Sequence, residues 1–369
     1  MNNIKKNLLS KSFMNKFIYI ILFAVCLFAA DISNAAGLNP SPADQSPKGV
    51  NAPKIAAIFP QALALIYLFE AQGQLCAFPL QTLKIEDKKS FFYDIMTPYK
   101  ASIKDTGTNN KPNIETIMSI KPDFAIIADV KNPIEENLAK INCNVFKFAG
   151  NFAGIERWLK DVSDFGVLCG KSEKAKKYAN YFKEKINIVS EKLKNIKLHD
   201  KKKVIYLMYI NGKIISRGAR INFGIEILKL FKEFVTVLNA ENDMNSRDLP
   251  VSAEELINLD PDYIFIDKVD HSSNETIILK EDFWKKLKAY NDKKIYIIPY
   301  DDPACSITCW YFNLCAPLGV LWTAKVLFPA EFSDVDLNAL SVDFHKTFLN
   351  IDISKYKTVN TNFMRTVNQ

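Results

Sequence analysis

A chain of 369 residues is too long for one typical hydrophobic core, and with 48% hydrophobic and 24% charged residues it is too apolar to remain disordered. Its formal charge of +7 is mild. Nucleic-acid binding would need a concentrated basic face with interleaved aromatics, which the sequence lacks.

Lys5, Lys6, Lys11 and Lys16 precede an apolar run at 17–30, and Ser33-Asn34-Ala35 supplies small residues for cleavage. This is the layout of a secretory signal peptide over residues 1–35, cut after Ala35, with an uncleaved N-terminal anchor as the alternative. Cys26 lies in a poor setting for a lipoprotein site. No other stretch is long and apolar enough to cross a bilayer, so the mature chain is expected to be exported to the periplasm. Residues 36–53, rich in Pro, Ser, Asn and Gly, read as a tether.

A first α/β lobe is predicted over 54–149. KIAAIFP reads as a strand and QALALIYLFEAQGQL as an apolar helix, followed by a long loop at 91–111. PNIETIMSIKPDFAII then gives a short helix stopped at Pro122 and an apolar strand, before the helix NPIEENLAKIN and the strand CNVFKFA. Residues 150–202 carry helical periodicity with long charged faces and no strand signal, a helical connector broken near Gly170.

A second lobe is predicted over 203–349, ahead of a tail at 350–369. Its strand KKVIYLMYI leads to IISRGARINFGIEILKLF, which reads as strand, polar turn and helix. SAEELINLDPDYIFID repeats the earlier phrase: Glu254 lies seven residues before Pro261, as Glu115 lies seven before Pro122. EDFWKKLKAY reads as a helix, KIYIIPY as a strand, and CWYFNLCAPLGVLWTAKVLFPAEF as a longer helix ending near Pro329. Strands alternating with helices predict parallel sheets in both lobes, hence two Rossmann-like lobes with a cleft between them.

Six cysteines follow the signal. Cys305, Cys309 and Cys315 are close enough for one local disulfide, and their spacings of four and six fit zinc poorly. Histidines are scarce. His199 and His345 fall in segments read as surface and His271 in a polar loop, so a site for bare zinc or manganese is not expected. There is no nucleophile elbow, HExxH, P-loop or well-placed GxGxxG, and no cofactor is implied.

Taken in order, these phrases resemble the substrate-binding proteins of ABC importers for iron-siderophore, haem, cobalamin and related chelates. KIAAIFPQALALIYLFEAQGQLCAF, PNIETIMSIKPDFAII, VSAEELINLDPDYIFI and APLGVLWTAKVLFPAEF are each similar to family phrases, and together they span about Lys54 to Leu349. Two departures fall near the expected cargo site. LFKEFVTVLNAE replaces a usual Gly-Gly-Asn turn, and the loop at 91–111 has only Gly107. The resemblance implies two lobes joined by a long rigid helix, no catalysis, and delivery of a chelate by a monomer to a permease dimer in the inner membrane. An oxyanion such as molybdate or tungstate is the alternative cargo. A secreted hydrolase or metal-dependent enzyme is the alternative class.

Arg217 and Arg220 flank Gly218 between a strand and a helix, where anions are favoured. They are either solvated turn residues or, as the resemblance implies, cargo ligands, with Asn222 a lesser candidate. Trp310, beside Tyr311, either stacks on a cargo ring or belongs to the core. Tyr99 either lines the cleft, as a possible phenolate donor to iron, or packs its loop. Gln61 sits at the start of the first helix, on the expected cleft edge. Glu115 and Glu254 each suit the positive end of a helix. The resemblance adds a role for them in meeting permease arginines, one from each lobe.

Overall fold

The computed structural model describes residues 52–82, 90–108, 111–130, 133–210, 213–217, 222–238, 249–268, 282–302, 306–356 and Met364. The expected signal peptide, most of the tether and tail, and Arg220, His271 and Cys305 lie outside the described residues. No helix among the described residues is long and apolar enough to cross a membrane.

The first lobe runs β1 (Ile55–Ala57), α1 (Leu63–Leu68), β2 (Leu75–Phe78), α2 (Phe91–Lys100) and β3 (Lys104–Asp105). A ribbon follows, β4 (Gly107–Thr108) with β5 (Lys111–Pro112), then α3 (Ile114–Ile120), β6 (Phe124–Ala128), α4 (Ile134–Lys140) and β7 (Asn144–Phe148). The five-stranded sheet has the order β3-β2-β1-β6-β7 and is parallel throughout. Its side chains alternate between two cores. Ile55 and Ala57 face one, while Ala56 and Ile58 face a second, closed by Ile117 of α3 and Ile134 and Leu138 of α4.

The expected loop at 91–111 instead begins as α2. Phe91 and Met96 are fully buried and Tyr99 partly so, a helical spacing that holds despite Pro98 in the last turn. Proline removes one hydrogen bond there, but core packing outweighs that loss.

Helices α5 (Ile155–Leu168) and α6 (Ser172–Leu193) connect the lobes. They are separated at Gly170, whose φ of 65° is the left-handed conformation in which glycine pays no Cβ penalty. At 22 residues, α6 spans about 33 Å.

The second lobe comprises β8 (Lys202–Ile210), β9 (Lys213–Ser216), α7 (Phe223–Lys229), β10 (Val235–Val237), β11 (Leu249–Pro250) and α8 (Ala253–Leu259). It continues with β12 (Tyr263–Lys268), α9 (Lys288–Asn291), β13 (Ile295–Ile297), α10 (Ala316–Leu327) and α11 (Leu337–Phe344), which runs into a π-helical turn, His345–Leu349. The sheet order is β11-β9-β8-β12-β13, with β10 beside β8. Strands β8, β10, β12 and β13 are parallel; β9 and β11 add an antiparallel edge. The predicted long helix starts only at Ala316, because Pro317 lacks an N–H and fits a first turn. Every residue of α10 except Lys325 is buried.

The repeated phrase has a repeated physical basis. In each copy a polar cap, Asn113 or Ser252, accepts a hydrogen bond from a backbone N–H in the first turn of the helix. The helix ends on a left-handed residue just before proline, Lys121 at φ 49° and Asp260 at φ 38°. The aspartate after proline then accepts from the backbone N–H of the lobe's opening lysine: Asp123 from Lys54 at 2.7 Å and Asp262 from Lys203 at 2.8 Å. Those lysines' ammonium groups reach back to the Ile120 and Leu259 carbonyls. Each lobe therefore ties its first strand to its helix–proline–strand unit in the same way.

Burial raises the Asp262 carboxyl, but the Lys288 ammonium and the Lys203 N–H outweigh it, and its pKa is lowered. A lowered carboxylate stabilises the fold above its unfolded pKa and ceases to as pH falls through the folded value. Asp262→Ala should therefore lower the unfolding free energy by about 1–3 kcal/mol at neutral pH. In urea titrations the difference from wild type should shrink as pH falls through the lowered folded value of this carboxyl.

Candidate ligand-binding site

In parallel α/β sheets ligands sit beyond the carboxyl ends of the strands. Here those ends approach one another across the lobes. Gln61, after β1, accepts the Asn151 N–H that follows β7 (2.6 Å), and the Asn151 side chain accepts the Asn313 N–H of the second lobe (3.1 Å). Gly150, at φ 61°, allows this: a Cβ there would lie 2.1 Å from Gln61 Oε1. On another edge Ser90 donates to Asp302, just beyond β13.

The charged centre of the second lobe's edge is Asp267, fully buried in the last turn of register of β12. It accepts hydrogen bonds from the Tyr206 hydroxyl (3.0 Å) and the Tyr300 hydroxyl. The Arg217 guanidinium lies 3.8 Å from its carboxylate, with 12% of the arginine side chain exposed. Burial pushes both phenols well above their usual range, so they stay protonated and donate. The sheet fixes the arginine from behind, since the Arg217 N–H donates to the Tyr206 carbonyl at 3.0 Å. The arrangement holds a guanidinium fork at a strand end, a group whose geometry suits carboxylates, catecholates and oxyanions.

The other predicted residues fall in different settings. Asn222 caps α7, accepting from the Ile225 N–H and donating to the Arg217 carbonyl, and so helps to fix the Arg217 backbone. Trp310 is fully buried and its indole donates to Asp301 at 2.8 Å, which places it in the core rather than on an open wall. Tyr311 is also buried, hydrogen-bonded with Thr323. Tyr99 belongs to α2, not a loop, and packs partly buried beside Gly73. Gln61 is half-buried and engaged as described. Glu115 and Glu254 are exposed in the first turns of α3 and α8. Arg220 is outside the described residues.

Two further expectations change. Cys309 and Cys315 are buried and not bridged to each other, and Cys305 lies outside the described residues. His345 is wholly buried, not superficial, because Phe91 and Phe344 pack their rings edge-on against it. Sequence reading missed Asp267 and Tyr300 altogether. The signal was present in an acid closing the apolar run YIFID, since a carboxylate at the end of a buried strand needs a partner.

Removing the arginine leaves Asp267 with two phenols and no cation among the described residues. Arg217→Ala should cost about 3 kcal/mol of stability in denaturant unfolding, and adding Asp267→Asn should recover part of it. A loss under about 1 kcal/mol would show that the pair contributes little to the fold.

The model of the family described as periplasmic binding protein matches residues 79–301, more than half of the chain. The chain is 27% identical over 230 residues to the iron-uptake system-binding protein of Bacillus subtilis, covering 59% of this chain and 68% of that one. It is 21% identical over 278 residues to the molybdate-binding protein MolA of Haemophilus influenzae, covering 69% and 75%. Among solved structures it resembles Helicobacter pylori CeuE with Ni(II) bound, at a TM-score of 0.61 and 19% identity, covering 82% and 93%. With its two α/β lobes and the matched family model, the chain belongs to the periplasmic binding protein family, whose role is recognition and transport of a solute rather than catalysis.

Proposed function

We propose that this protein captures an anionic metal chelate, a ferric siderophore first, between its lobes and delivers it to the permease dimer of an ABC importer. Arg217 carries the reading: at the end of a strand, its guanidinium lies beside a buried carboxylate that two phenols hold in place, which keeps its orientation. The iron-uptake relative supports an iron chelate. The molybdate-binding relative supports the second reading, an oxyanion at the same arginine. Of three histidines, His345 is buried, His199 is exposed and His271 is outside the described residues, which favours a chelated over a bare metal. Residues 1–35 would direct export and be cut after Ala35. A tether at 36–53 would then precede lobes at 54–149 and 203–349 joined through 150–202, with 350–369 as a tail, acting as a monomer.

Titration of the purified protein with ferric siderophores, haem, cobalamin, a nickel chelate and molybdate, read by tryptophan fluorescence, tests the cargo. Saturable binding of a ferric chelate is expected, weakened at least about tenfold in Arg217→Lys, which keeps the charge but loses the fork. Binding of molybdate alone selects the second reading, and binding of cobalamin alone overturns both.

Glu115 and Glu254 would present equivalent acids to the two permease subunits. Their exposure and matched positions support this. Reversing both to lysine should leave cargo affinity unchanged and abolish uptake by cells, since like-charge contact at a recognition surface costs several kcal/mol. Normal uptake would leave the two acids as helix-terminal charges only.

A further inference from the structure

Three side chains with metal-binding chemistry meet in the core just beyond β13, where Phe91 of the first lobe also packs, and none is used by the function above. Asp301, Cys315 and His345 are wholly buried, and one donor atom from each lies within 4.8 Å of the others. They come from distant points of the chain: Asp301 follows β13, Cys315 precedes α10, and His345 opens the π-helical turn. No local motif announces them.

Their orientation is constrained on every side. His345 Nδ1 lies 2.9 Å from the Ser341 carbonyl, so it carries the proton and leaves the Nε2 lone pair directed inward. Nε2 has no hydrogen-bond partner and lies 3.6 Å from Asp301 Oδ2. That is too long for a hydrogen bond but close to the roughly 3.4 Å that separates two donors on one tetrahedral ion at about 2.1 Å each. Asp301 is steadied by Trp310 Nε1 at 2.8 Å and Ser341 Oγ at 2.6 Å. Hydrogen bonds of this kind, to the far nitrogen of a histidine and to a carboxylate, typically orient metal ligands. A π turn beginning at the histidine also fits, since such turns are frequent where a side chain must be re-aimed for a task.

We propose that Asp301, Cys315 and His345 form a structural zinc site, separate from the cargo cleft and filled as the protein folds. Zinc accepts this mixture of carboxylate, thiolate and imidazole and has no redox chemistry. Binding releases the Cys315 thiol proton to solvent. The dication then faces one carboxylate and one thiolate, so the buried assembly carries no net charge and avoids the large penalty of an isolated interior ion. A water completes the tetrahedron. With all three donors enclosed, exchange requires the lobe to open.

Protein purified without a polyhistidine tag should contain about one zinc per chain. The ion should survive incubation with EDTA and be lost when the protein is unfolded with EDTA under reducing conditions. Refolding with Co(II) should give thiolate-to-cobalt charge-transfer absorption. Cys315→Ser and His345→Ala should each lower metal retention at least about tenfold, whereas Cys169→Ser should not. Should those variants fail to fold, the wild-type cobalt spectrum and the dependence of Tm on zinc during refolding decide alone. Absence of the charge-transfer band, with a Tm indifferent to zinc, would overturn the site and leave Asp301 and His345 as a metal-free buried pair. The same band in Cys315→Ser would equally overturn it. Cargo binding by Arg217 is independent of either result.

Discussion

One apolar core binds the two lobes together. It takes the inner face of the first sheet through Ile55 and Ala57, passes Trp158, Tyr178 and Phe182 of the connecting helices, crosses α10, and reaches Val204, Tyr206 and Phe265 of the second sheet. At its centre the Trp158 indole donates to the Tyr178 hydroxyl at 3.0 Å. That hydroxyl lies 3.0 and 2.8 Å from the Asn313 and Leu314 carbonyls, donating to one at a time. Both polar side chains of this pair, the Trp158 indole and the Tyr178 hydroxyl, are thereby satisfied, which such burial requires. The outer faces of the sheets have their own smaller clusters. Relative motion of the lobes must therefore be taken up near the cleft edges, because opening at the back would expose aromatic surface and break the tyrosine's bonds.

The cleft inherits its chemistry from this frame. Tyr206 serves both: its ring packs at 5.4 Å from Tyr311 in the core while its hydroxyl holds Asp267. Asn222 likewise caps a helix and grips the turn that carries Arg217. A guanidinium so tied would lose little conformational freedom in the ligand-binding role proposed for it, leaving more of its interaction energy for binding.

Much of the architecture was legible because it rests on local rules. Proline after a short amphipathic helix, followed by an apolar run, locates α3–β6 and α8–β12, and the caps at Asn113 and Ser252 agree with that reading. Other elements were misread. The aromatic and then polar stretch at 91–111 suggested a loop where core packing sustains α2, and the helix expected from Cys309 begins only at Ala316, with Pro317 in its first turn. The cleft was harder to read, since exposure is a property of distant contacts. An apolar stretch around Trp310 looks the same whether the ring faces cargo or, as here, the core. His345 lies among Asp343, Lys346 and Thr347, a surface-like neighbourhood, and Phe91, distant in sequence, helps to enclose it. Arg217 stood out as a charge in a turn, whereas its partner Asp267 was hidden at the end of a strand.

The contacts of α2 also order events in time. Phe91 packs on His345 and Tyr356, and Asp94 accepts from the Tyr356 hydroxyl at 2.6 Å. A helix of the first lobe is thus completed by side chains more than 250 positions further along the chain. A polypeptide made amino end first must hold that lobe with part of its apolar surface uncovered until residues 345–356 have followed. Proteolysis and aggregation act during such an interval, and its length is set by the speed at which the chain emerges rather than by the stability of the finished fold.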